Sequence, residues 1–118
     1  MPKLLIYLFI YCMSSSIGFS YTLLNYGFLE DTAGSYFTNK DWTMFNRYQL
    51  KALNISEDGK KVSWRNTKSG NWGSFIPFDT FVKNGNSCRK LTITNSANFR
   101  VGQTTLTFCK ISGHWKGM

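Results

Sequence analysis

The chain has 118 residues, which is enough for one small domain and excludes a multi-domain architecture. It carries 14 Lys and Arg residues against 6 Asp and Glu, a formal charge of +8, and 17% of its residues are aromatic. The positive charge favours anionic partners such as phospholipid headgroups or acidic cell-wall polymers. Because the basic residues are dispersed rather than gathered in long runs, they also fit an ordinary soluble cationic surface.

The first twenty residues have the layout of a secretory signal peptide. Lys3 precedes an unbroken apolar run over residues 4–13, and small polar residues follow. The run is about half as long as a helix that crosses a bilayer. We therefore predict that residues 1–20 are a signal peptide removed on export, with cleavage before Phe19 or before Tyr21.

Cys12 lies inside this leader. Bacterial lipid anchors attach to a cysteine at the end of such a run, but the preceding residue is normally small and here it is Tyr11. We interpret Cys12 as a residue discarded with the leader and keep lipidation of Cys12 as the alternative. Two cysteines then remain, Cys88 and Cys109, in a compartment where disulfides persist.

Residues 21–38 show no clear periodicity, and we interpret them as an irregular or partly helical lead-in. A helix is predicted next, from Asn39 to Leu53. It begins at Thr38 and Asp41, which have the spacing of a capping box. Five residues then fall on one face at helical spacing, and we predict that they pack in the core. They are Trp42, Phe45, Gln49, Ala52 and Leu53.

Beyond Gly59 the sequence predicts β-structure almost throughout. Turn-forming residues recur every eight to twelve positions, which is typical of an antiparallel meander. The fold class is therefore mainly β (α+β), with one helix packed on a small antiparallel β-sheet in a domain over residues 39–116. The predicted strands cover residues 61–66, 71–78, 81–83, 88–94 and 101–111, and the segment 112–115 turns into a final strand.

The last two long strands contain the two remaining cysteines. If Cys88 lies opposite Cys109, then Leu91 lies opposite Leu106 and Arg89 opposite Phe108 on one face, while Thr92 lies opposite Thr105 on the other face with the cysteines. Directly opposed cysteines can bridge at non-hydrogen-bonded positions of an antiparallel pair. We therefore predict a Cys88–Cys109 disulfide, which would stabilise the fold by roughly 3 kcal/mol.

No pattern of residues indicates catalysis. His114 is the single histidine. A free Cys109 near it could imitate a thiol site, but Cys109 has a better partner in Cys88. The six carboxylates suggest no acid–base pair, and one His with two oxidised Cys cannot supply a four-ligand zinc site. We therefore predict no enzymatic activity, no cofactor and no metal.

Basic and aromatic residues alternate around Trp64 and Trp72, as they do on platforms that bind single-stranded nucleic acid. Because export separates the chain from nucleic acid, we expect these aromatic side chains to pack in the core, with an exposed binding face as the alternative. Trp64 and Trp115 are the core candidates. Arg65, Arg89 and Lys90 are the predicted contact charges.

Between residues 47 and 116, several short elements occur in a fixed order. They are Ala52-Leu53, Gly59, Trp64-Arg65-Asn66, Gly70, Gly73, Pro77, Cys88-Arg89, Cys109-Lys110, Gly113 and Trp115. This ordered set resembles the C-terminal domain of the rickettsial 17-kDa surface antigen family. The resemblance implies a bacterial envelope protein, often an outer-membrane surface antigen, of undefined biochemical activity.

The leading hypothesis is thus a non-enzymatic domain with a structural or binding role in the periplasm, at the outer membrane or on the cell surface. Its expected partner is an anionic envelope component or an envelope protein, and no nucleic acid is expected. Peripheral or lipid-anchored membrane association fits this hypothesis. The alternative is a secreted interaction module that assists or inhibits another envelope or secretion-system protein, and a third hypothesis is a secreted hydrolase with His114 as its base.

Overall fold

The structure, a computed structural model, describes residues 33–118. The predicted signal peptide, Cys12 and the first part of the lead-in lie outside the described residues. Within residues 33–118, no helix is both long and apolar enough to cross a membrane.

The α-helix of the described residues, α1, spans Asn39–Asn54, one residue longer than predicted. The predicted capping box is confirmed: the Asp41 N–H donates to Thr38 Oγ1 over 3.1 Å, and the Thr38 N–H donates to Asp41 Oδ2 over 2.8 Å. The predicted core face is buried, except that Trp42 is only partly covered. A short 3₁₀ helix, Ala33–Tyr36, precedes α1, and since its first residue is fully buried, this end of the lead-in belongs to the domain.

Five antiparallel strands form one sheet in chain order, which confirms the predicted meander. The single strand β2 replaces two predicted strands, because a bulge between Phe78 and Phe81 interrupts the alternation without ending the pairing. The strands are β1 (Val62–Arg65), β2 (Trp72–Lys83), β3 (Asn86–Ala97), β4 (Arg100–Ile111) and β5 (His114–Gly117).

Strands β3 and β4 extend further than predicted. The segment 95–103, predicted as their connection, is instead mostly strand around a two-residue turn, Asn98-Phe99. Polar and small residues such as Asn95 and Ala97 hid the strand pattern there, although both side chains are buried. The result is a long, tight hairpin.

The disulfide is confirmed at the predicted register. Cys88 lies opposite Cys109 and is bonded to it, and Leu91 lies opposite Leu106. Two residues that flank a two-residue turn form a hydrogen-bonded pair, and pairs alternate along an antiparallel ladder. Counting from Ala97 opposite Arg100, the cysteines occupy a non-hydrogen-bonded pair, as expected.

The core lies between α1 and one face of the sheet, which we call the inner face. Phe45 from α1 meets Phe75 from β2, with their ring centroids 5.0 Å apart. Both predicted core tryptophans lie here: Trp64 is 3% exposed, and Trp115 packs against the core while its Nε1–H donates to Asn54 Oδ1 over 2.7 Å.

Gly73 lies directly opposite Trp64 on the neighbouring strand. A Cβ at this position would approach Trp64 Nε1 to 2.6 Å and the Thr94 carbonyl oxygen to 2.8 Å. Glycine therefore leaves the space that the Trp64 indole fills. These close approaches explain why position 73 holds a glycine.

Candidate functional site

Asp41 holds the first turn of α1 against the connection between β1 and β2. It has no exposed surface, and its two oxygens accept four hydrogen bonds. Burial by itself raises the pKa of the Asp41 carboxyl, but these hydrogen bonds outweigh it and lower the pKa below its ordinary value. The donors are Thr38 N (2.8 Å), Asn66 Nδ2 (2.8 Å), Ser69 Oγ (2.8 Å) and Asn71 Nδ2 (2.7 Å).

The connection itself is a tight loop. The Asn66 N–H donates to the Asn71 carbonyl over 2.9 Å, and the Gly70 N–H donates to the Asn66 carbonyl over 2.7 Å. Gly70 has φ of 80°, a left-handed conformation that favours glycine. The loop therefore presents Asn66, Ser69 and Asn71 to Asp41, which gives a structural reason for much of the Trp64-Arg65-Asn66 element and for Gly70.

Beside this network a groove of about 730 Å³ opens between α1 and the loop. Three of its lining residues, Lys40, Arg65 and Lys68, are charged, and all three are basic and exposed. We call it the basic groove. Its other lining residues are Thr38, Met44, Asn66, Thr67 and Ser69. Because Thr38, Asn66 and Ser69 also bind Asp41, the buried carboxylate fixes the walls from which the cations project.

A second groove, of about 500 Å³, lies near the other end of α1. It also has three basic residues, Lys51, Lys60 and Lys61, but Glu57 lines it as well. A carboxylate in the lining opposes an anionic ligand. The basic groove is therefore the better candidate for binding an anion.

The three predicted contact charges do not share a surface. Arg65 lines the basic groove, whereas Lys90 is partly buried on the outer face of the sheet, with its Nζ 3.5 Å from Asp79 Oδ2. Arg89 is only 8% exposed on the inner face, so its prediction as a contact residue is wrong. Successive residues of a strand point to opposite faces, so Arg89 and Lys90 cannot face one partner together.

Arg89 instead fastens the C-terminal end of α1. Its Nη1 donates to the Ala52 and Leu53 carbonyls over 2.9 and 3.0 Å, and its Nη2 donates to Asp58 Oδ1 over 2.7 Å. Its Nε donates to Thr80 Oγ1 over 2.9 Å. The hydrogen bond from Arg89, together with those from Thr80, holds the pKa of the Asp58 carboxyl below its ordinary value. The predicted register already placed Arg89 opposite Phe108 on the core face, and this signal could have identified its role.

Charge is distributed unevenly along the sheet. Residues 33–118 contain 13 of the 14 basic residues but only 4 of the 6 acidic ones. Apart from buried Asp41, the acidic residues of this part of the chain are Glu57, Asp58 and Asp79. Two of them form its ion pairs, Arg89–Asp58 and Lys90–Asp79. We call the half of the sheet near these acids and Cys88–Cys109 the disulfide end, and the half with the basic groove the groove end.

The structure also bears on the predicted alternatives of a thiol site near His114 and of an exposed aromatic platform. Cys109 is bonded to Cys88, so neither cysteine of residues 33–118 offers a free thiol to His114, which is exposed on β5. Trp64 is buried and Trp72 is partly buried, so an exposed platform of both rings is not formed.

The resemblance to the surface antigen family stays a prediction. Comparisons of the chain with known protein families, with curated proteins and with solved structures gave no match.

Proposed function

We propose that this chain is an exported, non-enzymatic domain of the bacterial envelope that binds a phosphate-bearing anionic component through the basic groove. The observation that carries the proposal is the set of three exposed cations, Lys40, Arg65 and Lys68, around a groove without an exposed carboxylate in its lining.

The groove suits anionic groups because its walls are held in place before a ligand arrives. The hydrogen bonds to Asp41 fix both the loop that carries Arg65 and Lys68 and the helix turn that carries Lys40. Binding to pre-organised groups costs less conformational entropy than binding to mobile ones. Arg65 adds a planar fork of donors that matches phosphate oxygens.

The compartment is inferred separately. A structural disulfide is typical of oxidising compartments, which include the bacterial periplasm and cell surface. The predicted signal peptide and the resemblance to an envelope antigen family point in the same direction. Phospholipid headgroups and phosphate-bearing wall polymers are two anionic envelope components with this chemistry.

The proposal can be tested with a charge-matched pair of variants of the full chain. One variant neutralises the groove (Lys40→Gln, Arg65→Gln, Lys68→Gln), and its control removes the same charge from exposed residues of the disulfide end (Lys83→Gln, Lys110→Gln, Lys116→Gln). Binding to inorganic polyphosphate and to anionic vesicles is measured for each. With about 1 kcal/mol for each basic residue near an anionic surface, the groove variant should bind at least about tenfold more weakly than the control.

Equal binding by the two variants would show that overall charge, rather than the groove, governs the interaction, and the proposed site would be wrong. Envelope extracts in which the chain associates with one stoichiometric protein and with no anionic component would instead support the interaction module.

A further inference from the structure

Three two-residue turns join β2 to β3, β3 to β4, and β4 to β5, and all have the same backbone conformation. Both central residues have positive φ in each: 53° and 80° in Asn84-Gly85, 52° and 61° in Asn98-Phe99, and 52° and 82° in Ser112-Gly113. Glycine adopts this conformation freely at the second position, whereas a bulky side chain there is a steric outlier. Only the middle turn, among the three, has a large residue at that position.

Packing gives no reason for this residue. Phe99 is fully exposed, with a relative accessible surface of 106%, and its neighbour on β4, Val101, is 66% exposed. Phe99 therefore places a strained, apolar side chain in water with no compensating contact in the domain. A backbone outlier of this kind indicates a functional constraint.

The surroundings of Phe99 are amphipathic. Tyr36 is 44% exposed, and the Arg100 guanidinium lies over its ring, 5.4 Å from the centroid. Phe99 thus forms an apolar tip, with Arg100 next to it in sequence and the aromatic ring of Tyr36 under the Arg100 guanidinium. Aromatic and basic residues side by side are typical of protein segments that lie at the headgroup level of a bilayer.

The tip lies at the same end of the sheet as the basic groove. The register places Arg65 opposite Trp72, Trp72 opposite Ser96, and Ser96 opposite Val101. The row from Arg65 to Val101 therefore crosses three strand spacings, about 14 Å. The β1–β2 loop and the Asn98-Phe99 turn therefore lie at one end of the sheet, whereas the exposed acids of residues 33–118 lie towards the disulfide end.

We propose that the Asn98-Phe99 turn is a membrane-contacting tip, which inserts Phe99 into the interfacial layer of an anionic bilayer while Arg100 and the basic groove contact phospholipid headgroups. This inference rests on the proposed function and names its anionic component as the phospholipid surface. The proposed partner is a bilayer because a soluble wall polymer has no apolar layer in which Phe99 could be buried. The adjacent cations match the charge of anionic headgroups.

The test compares Phe99→Gly, which restores the residue of the other two turns, with the full parent chain. The matched control is Val82→Ser, which removes a 72% exposed apolar side chain from the disulfide end. Co-sedimentation is measured with vesicles of phosphatidylglycerol and phosphatidylcholine, and binding to soluble polyphosphate is measured in parallel. We expect Phe99→Gly to lose about tenfold in vesicle affinity, from the apolar surface no longer buried, with unchanged polyphosphate binding. Val82→Ser should behave as the parent in both assays.

Thermal unfolding separates insertion from misfolding. Because glycine relieves the left-handed strain, Phe99→Gly should melt at the parent's temperature or higher. A variant that is more stable yet binds vesicles more weakly would establish the tip as a binding element.

Four outcomes would overturn the inference. Unchanged vesicle affinity in Phe99→Gly would exclude insertion, and the proposed function would stand if neutralising the groove still weakened binding. A lower melting temperature would assign Phe99 a structural role. Binding of the parent to polyphosphate but not to anionic vesicles would exclude the bilayer and keep the groove, while binding to neither would overturn both proposals.

Discussion

The two ends of α1 are attached to the sheet by buried charges of opposite sign. At the groove end, Asp41 in the first turn of the helix accepts hydrogen bonds from the β1–β2 loop. At the disulfide end, Arg89 on β3 donates to the last carbonyls of the helix. Each charge matches the helix dipole, which favours a negative group at the N-terminus and a positive group at the C-terminus.

The ends differ in what surrounds these charges. At the disulfide end, Arg89 and Lys90 are paired with Asp58 and Asp79, and a covalent cross-link lies nearby. At the groove end, the carboxylate of Asp41 is buried beneath a groove lined by exposed cations. The comparison indicates that the disulfide end is built for stability, whereas the groove end retains the charge that a ligand can use.

The largest effect is expected from Asp41→Ala. It leaves the amides of Asn66 and Asn71 without their acceptor, and since each unsatisfied buried group costs about 1–3 kcal/mol, we expect a loss of about 4 kcal/mol in the free energy of unfolding. Urea denaturation measures it, with the exposed carboxylate change Glu57→Ala as the control. Equal stability of the two variants would mean that the network does not hold the helix.

Removal of the disulfide comes next. The cysteines are 21 residues apart, and the double variant Cys88→Ala, Cys109→Ala should lose about 3 kcal/mol by the chain-entropy account. If the two ends are independent, hydrogen exchange of the Asn66 amide should keep its protection relative to global unfolding. Selective loss of protection in the loop would show that the disulfide also supports the basic groove.

Arg89→Met should destabilise the domain by about 2 kcal/mol, because the Ala52 and Leu53 carbonyls lose their donor. Lys90→Met, on the adjacent residue, removes a partly exposed pair and should cost less than about 0.5 kcal/mol. Polyphosphate binding should hardly change in Arg89→Met. Weaker binding with parental stability would restore Arg89 as a contact residue.

The smallest expected effect is on the pH dependence of the free energy of unfolding. The folded pKa of Asp41 is lowered, so its contribution is fully present above the unfolded value, about 3.9, and is lost as the pH falls from there through the folded pKa. Urea midpoints between pH 6 and pH 2.5 should therefore fall less steeply for Asp41→Asn than for the parent. Asp58, whose pKa is lowered chiefly by Arg89, acts with the same sign, and Asp58→Asn gives the comparison for the disulfide end. A parental slope in Asp41→Asn would contradict the assignment.

The sequence was sufficient for the elements whose cause is local or periodic. The capping box, the helical core face and the alternation of β3 and β4 predicted the helix and the disulfide register before any contact was known. Phe99 was missed because the polar residues around the β3–β4 turn resemble a loop.

The partners of Asp41 were missed for a different reason. They lie 25 to 30 residues away along the chain, and no local spacing connects a helix cap to a distant loop. For Arg89, residue type and strand parity predict different places: a basic residue predicts a surface charge, whereas the alternation of β3 places Arg89 on the inner face. Only the tertiary contacts show that both charges belong to the attachment of α1.

The strand order has a consequence for how the chain folds. Since every strand pairs with its neighbour in sequence, each hairpin can zip outward from its own turn, a local process that is faster than forming distant pairs. Pairing that starts at the Asn98-Phe99 turn brings Cys88 opposite Cys109 at the far end of the hairpin, where the disulfide can then form. We expect this hairpin to start more slowly than the two with glycine at the second turn position, because Phe99 must adopt its left-handed conformation before the first pair can close.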